Sequence, residues 1–181
     1  MARLFTAIEL TPAVRTLVAE QQAFLVRTVS RPSDRSLRPV GVAQLHLTLV
    51  FIGEVSDERV SGITQAMSDA LPVPSFELDF GGCGVFPPRG PARVLWLGVT
   101  RGARELNAAF EAVASRLEAA GVPRESRPFA AHLTIGRWRD RGVSSARPAL
   151  PAIGHVATER VSSVTLFRSR LLVGGPEHTA L

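Results

Sequence analysis

Two short stretches constrain this chain more than anything else in it: Leu45-His46-Leu47-Thr48-Leu49-Val50 in the first half and Ala131-His132-Leu133-Thr134-Ile135-Gly136-Arg137 in the second. Each contains H-x-T-x with apolar residues in the x places. Side chains of an extended chain alternate between faces, so His46 and Thr48 share one face while Leu47 and Leu49 share the other. His132 and Thr134 stand in the same relation to Leu133 and Ile135. Each segment reads as a strand that buries a hydrophobic face and presents an imidazole beside a hydroxyl. One such pair is an ordinary half-exposed strand. Two, taken from only four histidines, point to a shared purpose.

The flanking sequence has the alternating texture of an α+β chain. Residues 3–9 read as a strand, and Thr11-Pro12 starts a helix to about residue 28, with Val14, Leu17, Val18, Gln21 and Leu25 in helical period. Residues 30–36, with Arg38 just beyond, form a polar, arginine-bearing loop and a candidate rim for an anionic substrate. The first motif strand spans residues 45–52 and ends at Gly53, and Ser56 caps a helix over 57–70. A strand over 76–80 leads into glycine- and proline-rich turns at 81–84 and 86–91, then a strand over 94–99. The clearest helix runs over 103–120, with Leu106, Phe110, Val113 and Leu117 on one face and Gly121 at its end. The second motif strand spans 129–138. A basic loop over 139–151 and strands over 155–158 and 161–172 follow, and Gly174-Gly175-Pro176 breaks the last of them. The two motif-bearing halves read as a weak internal duplication.

Several chemistries are excluded by composition. The chain contains no lysine, all 21 basic residues being arginine, so it has no Walker A loop, no Schiff base and no lysyl-adenylate. Arginine still suits phosphate, because its planar fork of donors stays charged. The single Cys83 cannot form an internal disulfide and reads as a small buried hydrophobe. The four histidines show no metal-ligand spacing, so no metal and no other cofactor is expected. Without a signal layout or an apolar run of ~20 residues, the reading is a cytoplasmic protein that does not use a membrane. At 181 residues the chain makes one domain, spanning 1–181, and we expect a monomer.

Two imidazoles facing across a cleft can split a phosphodiester without a metal. The neutral one takes a proton from the nucleophile, and the protonated one gives a proton to the leaving oxygen. Threonine hydroxyls can donate to the non-bridging phosphate oxygens. From spacing alone, either histidine could take either role. Arg137 falls on Leu133's face by strict alternation and needs a bend at Gly136 to reach the cleft, so it is either a phosphate ligand or a surface charge. Phe5 and Phe51 are core residues or cleft aromatics able to stack on a base. His155 and His178 lack the motif and read as structural or surface residues.

The paired motifs resemble those of the 2H phosphoesterases, and within them the RNA 2′,3′-cyclic phosphodiesterase family, also called 2′-5′ RNA ligases. The likeness extends through Arg3-Leu4-Phe5-Thr6-Ala7-Ile8-Glu9-Leu10, Phe51-Ile52-Gly53-Glu54, Arg93-Val94-Leu95-Trp96-Leu97-Gly98-Val99, Arg127-Pro128-Phe129 and Leu166-Phe167-Arg168-Ser169-Arg170-Leu171. It implies a bilobal α+β fold, with two antiparallel sheets and flanking helices related by a pseudo-twofold around a central cleft. It also implies hydrolysis of RNA or nucleotide 2′,3′-cyclic phosphates to 2′-phosphates, with His46 as general acid and His132 as general base. Thr48, Thr134, Arg137 and Phe5 are the substrate-binding candidates. The same residues permit the reverse, ATP-independent 2′-5′ joining of RNA ends, which water at ~55 M should keep minor. A non-catalytic RNA- or nucleotide-binding module is the remaining alternative, although a pure binder has no need of both an acid and a base. Departures from the family pattern at Arg38-Pro39-Val40, Val50 and Ala130-Ala131 concern substrate contacts and leave both motifs whole.

Overall fold

The computed structural model describes residues 1–29, 37–139, 147–172 and 175–181. The loop read at 30–36, most of the basic loop after Arg139, and Gly174 lie outside the described residues. Among the described residues nine strands form two sheets. In the first, β1 (Ala2–Glu9) lies between β3 (His46–Val55) and β8 (Thr165–Leu172), and β9 (Gly175–Ala180) extends β8 at the edge. In the second, the order is β2 (Leu37–Pro39), β6 (His132–Trp138), β5 (Val94–Arg101), β4 (Phe76–Phe86) and β7 (His155–Val161). Every pairing in both sheets is antiparallel.

Among the described residues the strands are joined by three helices, α1 (Pro12–Val29), α2 (Asp57–Met67) and α3 (Ala103–Ala119). Helix α1 follows a strand of the first sheet yet lies against β2, β6 and β7 of the second. Helix α3 leaves a strand of the second sheet yet lies against β3 of the first, with α2 beside it. Each sheet is thereby covered by a helix that follows a strand of the other sheet. One contiguous core results, joining Leu4, Ile8 and Leu47 of the first sheet to Leu95, Leu97 and Leu133 of the second through Val18, Leu25, Leu106 and Leu117 of the helices. Burying each such side chain is worth about 1.5–3 kcal/mol, which is what holds the two sheets at a fixed spacing. Among the described residues no helix is long and apolar enough to cross a membrane.

The start of α1 shows how closely the halves interlock. Thr11 donates through its backbone N–H (2.7 Å) and its hydroxyl (3.0 Å) to Oε2 of Glu159 on β7, a fully buried carboxylate. The helix then buries Val14, Val18, Gln22, Leu25 and Val29. Leu17 faces solvent, and the polar residue inside the stripe is Gln22 rather than Gln21.

Other expectations need correction. Residues 81–84 are not turns but the second half of β4, bulged between Gly81 and Cys83. Close approach explains the glycines: a Cβ on Gly84 would lie 2.0 Å from Cζ2 of Trp96, and one on Gly81 would lie 2.7 Å from the Gly154 carbonyl. Gly53 does not end β3. The strand passes through it at φ 83° and continues to Val55. Gly175 and Pro176 do not break the pattern but begin β9, whose pairing on β8 carries His178 opposite Ser169. Helix α2 stops at Met67, and β6 begins at His132 itself.

Candidate active site

The two motif strands, β3 and β6, belong to different sheets and approach each other where the sheets meet. Between them opens a cleft of about 880 Å³ whose walls include His46, Thr48, His132 and Thr134, as alternation requires. Arg3, Arg38, Arg137 and Arg139 also line it, and no described acidic residue does. A concave surface with four guanidinium groups and no carboxylate attracts phosphate.

Both imidazoles are anchored in the same way. The Nδ1–H of His46 donates to the carbonyl of Gln44, and that of His132 to the carbonyl of Ala130, each at 2.7 Å and each two residues back along the chain. A carbonyl can only accept, so the proton of the neutral ring sits on Nδ1 and Nε2 is left as the working nitrogen. His46 packs against Phe5 with ring centroids 4.9 Å apart, and Phe5 in turn against Phe167 at 5.2 Å. His132 meets Phe86 edge to face at 4.9 Å. Phe5 is 5% exposed and belongs to this aromatic floor, whereas Phe51 is 56% exposed on the cleft wall with the Arg3 guanidinium 5.1 Å above its ring.

Burial sets the electrostatics. It pushes the His46 pKa down to about 4, with the charges of His178, Arg137 and Arg15 acting in the same direction and the Gln44 carbonyl against them. His132 is lowered by burial and by Arg137, against the pull of the Ala130 carbonyl. Both shifts favour the neutral ring in the free protein, that of His46 more strongly.

Arg137 reaches the cleft by a device that alternation hides. In the β5–β6 ladder Leu95 pairs with Gly136 and Trp96 with Thr134, leaving Ile135 as the extra residue of a β-bulge. The bulge shifts the alternation by one, so the cleft face reads His132, Thr134, Arg137. The same happens in β3, where Thr6 pairs with Val50 and Ala7 with Thr48, leaving Leu49 over and bringing Phe51 to the cleft. In both motifs the fourth letter is the bulged residue, and the side chain five positions after the histidine faces the cleft. A bend at Gly136 is therefore not what turns the arginine.

His178 corrects an expectation. It lines the cleft from β9, its ring edge-on to Phe5 at 4.9 Å and to His46 at 5.4 Å. Sequence reasoning missed it because the glycines before it hid the strand. His155 does stay outside, bonded to Thr158 at 3.0 Å beside Asp79 on the far edge of the second sheet. The half-buried Cys83 thiol donates to the Pro151 carbonyl, and burial raises its pKa, so it is no nucleophile. Among the described residues no group of three or more His, Cys, Asp or Glu is placed to hold a metal ion.

Comparison with known proteins agrees with this geometry. The chain is 32% identical over 186 aligned residues to the RNA 2′,3′-cyclic phosphodiesterase of Methanothermobacter thermautotrophicus, covering 98% of this chain and 95% of that protein. A crystal structure described as a phosphoesterase superposes with a TM-score of 0.79 at 30% identity, over 99% of this chain and 95% of the other. E. coli LigT complexed with 3′-AMP superposes with a TM-score of 0.77 at 29% identity, over 99% and 95%. The family model of the 2′-5′ RNA ligase superfamily matches residues 9–170, a span that holds both histidine strands, and the chain belongs to that superfamily.

Proposed function

We propose that this protein is an RNA 2′,3′-cyclic phosphodiesterase, opening the cyclic phosphate at RNA or nucleotide ends to a 2′-phosphate without a metal. The observation that carries the reading is the matched pair of imidazoles, each fixed through Nδ1 to its own backbone with Nε2 left for the cleft. His132 takes a proton from water as the oxygen attacks phosphorus. His46 gives a proton to the departing 3′ oxygen. Thr48 and Thr134 donate to the non-bridging oxygens, and Arg137 neutralises them. Phe5 supports the His46 ring from below, and the exposed Phe51 offers the face on which a base stacks. The crossed helices support a single bilobal unit over residues 1–181. We also propose that it works as a monomer in the cytoplasm.

Phosphorus NMR of a 2′,3′-cyclic mononucleotide treated with the protein in excess EDTA tests the reading. A 2′-phosphate product is expected. A product carrying only 3′-phosphate, or loss of activity in the chelator, overturns it.

The pH dependence follows from the depressed histidines. The value of kcat/KM reports the free enzyme, in which one pKa is about 4 and the other lies below 6.5. The active form needs one proton on the pair. It is lost to a second proton below the lower value and to full deprotonation above the higher one, so the bell should peak on the acid side of about pH 6. A bound phosphate anion favours both imidazolium forms, and the kcat bell should lie at higher pH than the kcat/KM bell. A kcat/KM maximum at or above pH 7 contradicts this.

A further inference from the structure

Among the described residues three polar side chains are buried in the core: Thr6, Gln22 and Glu159. Glu159 secures the start of α1. The other two each meet a motif strand at its bulge. Thr6 accepts from the N–H of Val50, next to the bulged Leu49, at 3.2 Å. Gln22, only 4% exposed, donates from Nε2 to the carbonyl of the bulged Ile135 at 2.7 Å and to the carbonyl of Val40 at 2.8 Å. Both partners are carbonyls, so the amide nitrogen must face them, one hydrogen on each.

We propose that Gln22 is a positioning residue that acts through Arg137, its amide holding open the Ile135 bulge that turns Arg137 onto the histidine face. The proposal rests on the reading above only in naming phosphate as what Arg137 binds. The β2–β6 pairing runs Leu37 with Trp138, Arg38 with Arg137 and Pro39 with Gly136, so Val40 and Ile135 form the next rung. That rung has one backbone bond, from the N–H of Val40 to the carbonyl of Ile135 at 3.0 Å. Gln22 completes it from the side, reaching out of an otherwise apolar stripe of α1. A buried amide in such a stripe is costly unless its hydrogens are used, and here both are.

Removing the amide leaves the Val40 carbonyl without this donor and the Ile135 carbonyl with Val40 alone. A clean reversal of the alternation is barred, since it would press the guanidinium into the core that holds Leu133 and Ile135. The accessible outcome is a frayed β2–β6 edge in which Arg137, still opposite Val94 on β5, loses its seat against Arg38 on β2 and its side chain swings toward solvent. His132 and Thr134 precede the bulge and keep their pairing with β5. Loss of the brace should therefore weaken anion binding far more than turnover.

The test is a double-mutant cycle on Gln22→Met and Arg137→Ala. It uses kcat and KM for a 2′,3′-cyclic mononucleotide and the Kd for the corresponding nucleoside 2′-phosphate. Arg137→Ala is expected to raise KM and Kd about tenfold. Gln22→Met should raise both about five- to tenfold with kcat within about threefold, and the double variant should be no worse than Arg137→Ala by more than about twofold. A merely structural brace would lower Tm and leave KM and Kd of the folded fraction alone. Penalties that multiply in the double variant, or an unchanged KM and Kd in Gln22→Met, overturn the proposal. If Gln22→Met does not fold, Gln22→Asn, one methylene shorter, carries the same readouts. A wild-type protein without turnover would overturn the phosphodiesterase reading but not this one. The Kd cycle and a crystal structure of the variant still decide, and Arg137 found on the histidine face in that structure refutes the role of Gln22.

Discussion

Replacing His46 or His132 by alanine is expected to lower kcat for a 2′,3′-cyclic mononucleotide by ~10² to 10⁴, about 3–5 kcal/mol of transition-state stabilisation. In the proposed mechanism the two rings act on one transition state, one on the entering oxygen and one on the leaving oxygen. Losing the second after the first should add little, and the double variant should fall within a few-fold of the poorer single one. The pH profiles separate the roles. In His46→Ala the limb due to the acid should vanish, leaving activity that rises with pH to a plateau as His132 becomes neutral. A residual profile that falls with rising pH would reverse acid and base while keeping the reaction. Near-wild-type turnover in either single variant would reduce that histidine to a structural group. Because His46 also packs on Phe5, Tm should be recorded for each variant, so that a loss of fold is not counted as a loss of chemistry.

A large stability effect from a single methyl group is expected at Gly102, the residue just before α3, where overlap and backbone strain combine. Its backbone sits at φ 82° and ψ 10°, and a Cβ there would lie 2.1 Å from the Glu77 carbonyl oxygen and 2.9 Å from Cδ2 of Leu78. Gly102→Ala therefore combines left-handed strain of about 1–2 kcal/mol with an overlap against backbone that cannot swing aside. We expect a loss of about 3 kcal/mol, or ~6–12 °C in Tm for a chain of this size. Gly90→Ala is the control, since Gly90 has φ 77° with nothing within 4 Å of the added Cβ, so that it carries the strain alone. If the two variants melt within 2 °C of each other, the overlap is relieved by movement and the account fails.

Much of this architecture was legible in the chain because its signals are local. The H-x-T-x strands, the long α3 and its end at Gly121 are fixed by periodicity and by one glycine at φ 78°. What stayed hidden depends on partners distant in sequence. The run Gly81-Gly82-Cys83-Gly84 looks like a turn until Trp96, on the neighbouring strand, is seen to need the space at Gly84. His178 looks like a tail residue until β9 pairs with β8. Gln22 looks like a surface residue of an amphipathic helix until the Ile135 carbonyl meets it. The depressed His46 likewise follows from burial among Phe5 and Phe167, which come from opposite ends of the chain.

The paired bulges give a rule for counting. A reader who trusts alternation looks for the third cleft residue four places after each histidine and finds Val50 and Gly136, both buried. Counting five places instead finds Phe51 and Arg137, one aromatic and one cationic, at matching positions of the two halves. The half carrying His46 thus offers a surface for a ring, and the half carrying His132 a charge for a phosphate. Under the proposed function, the two motif strands divide the labour of recognition at a single offset. In any chain built on the same bulged strand, that offset is where differences in substrate should be written.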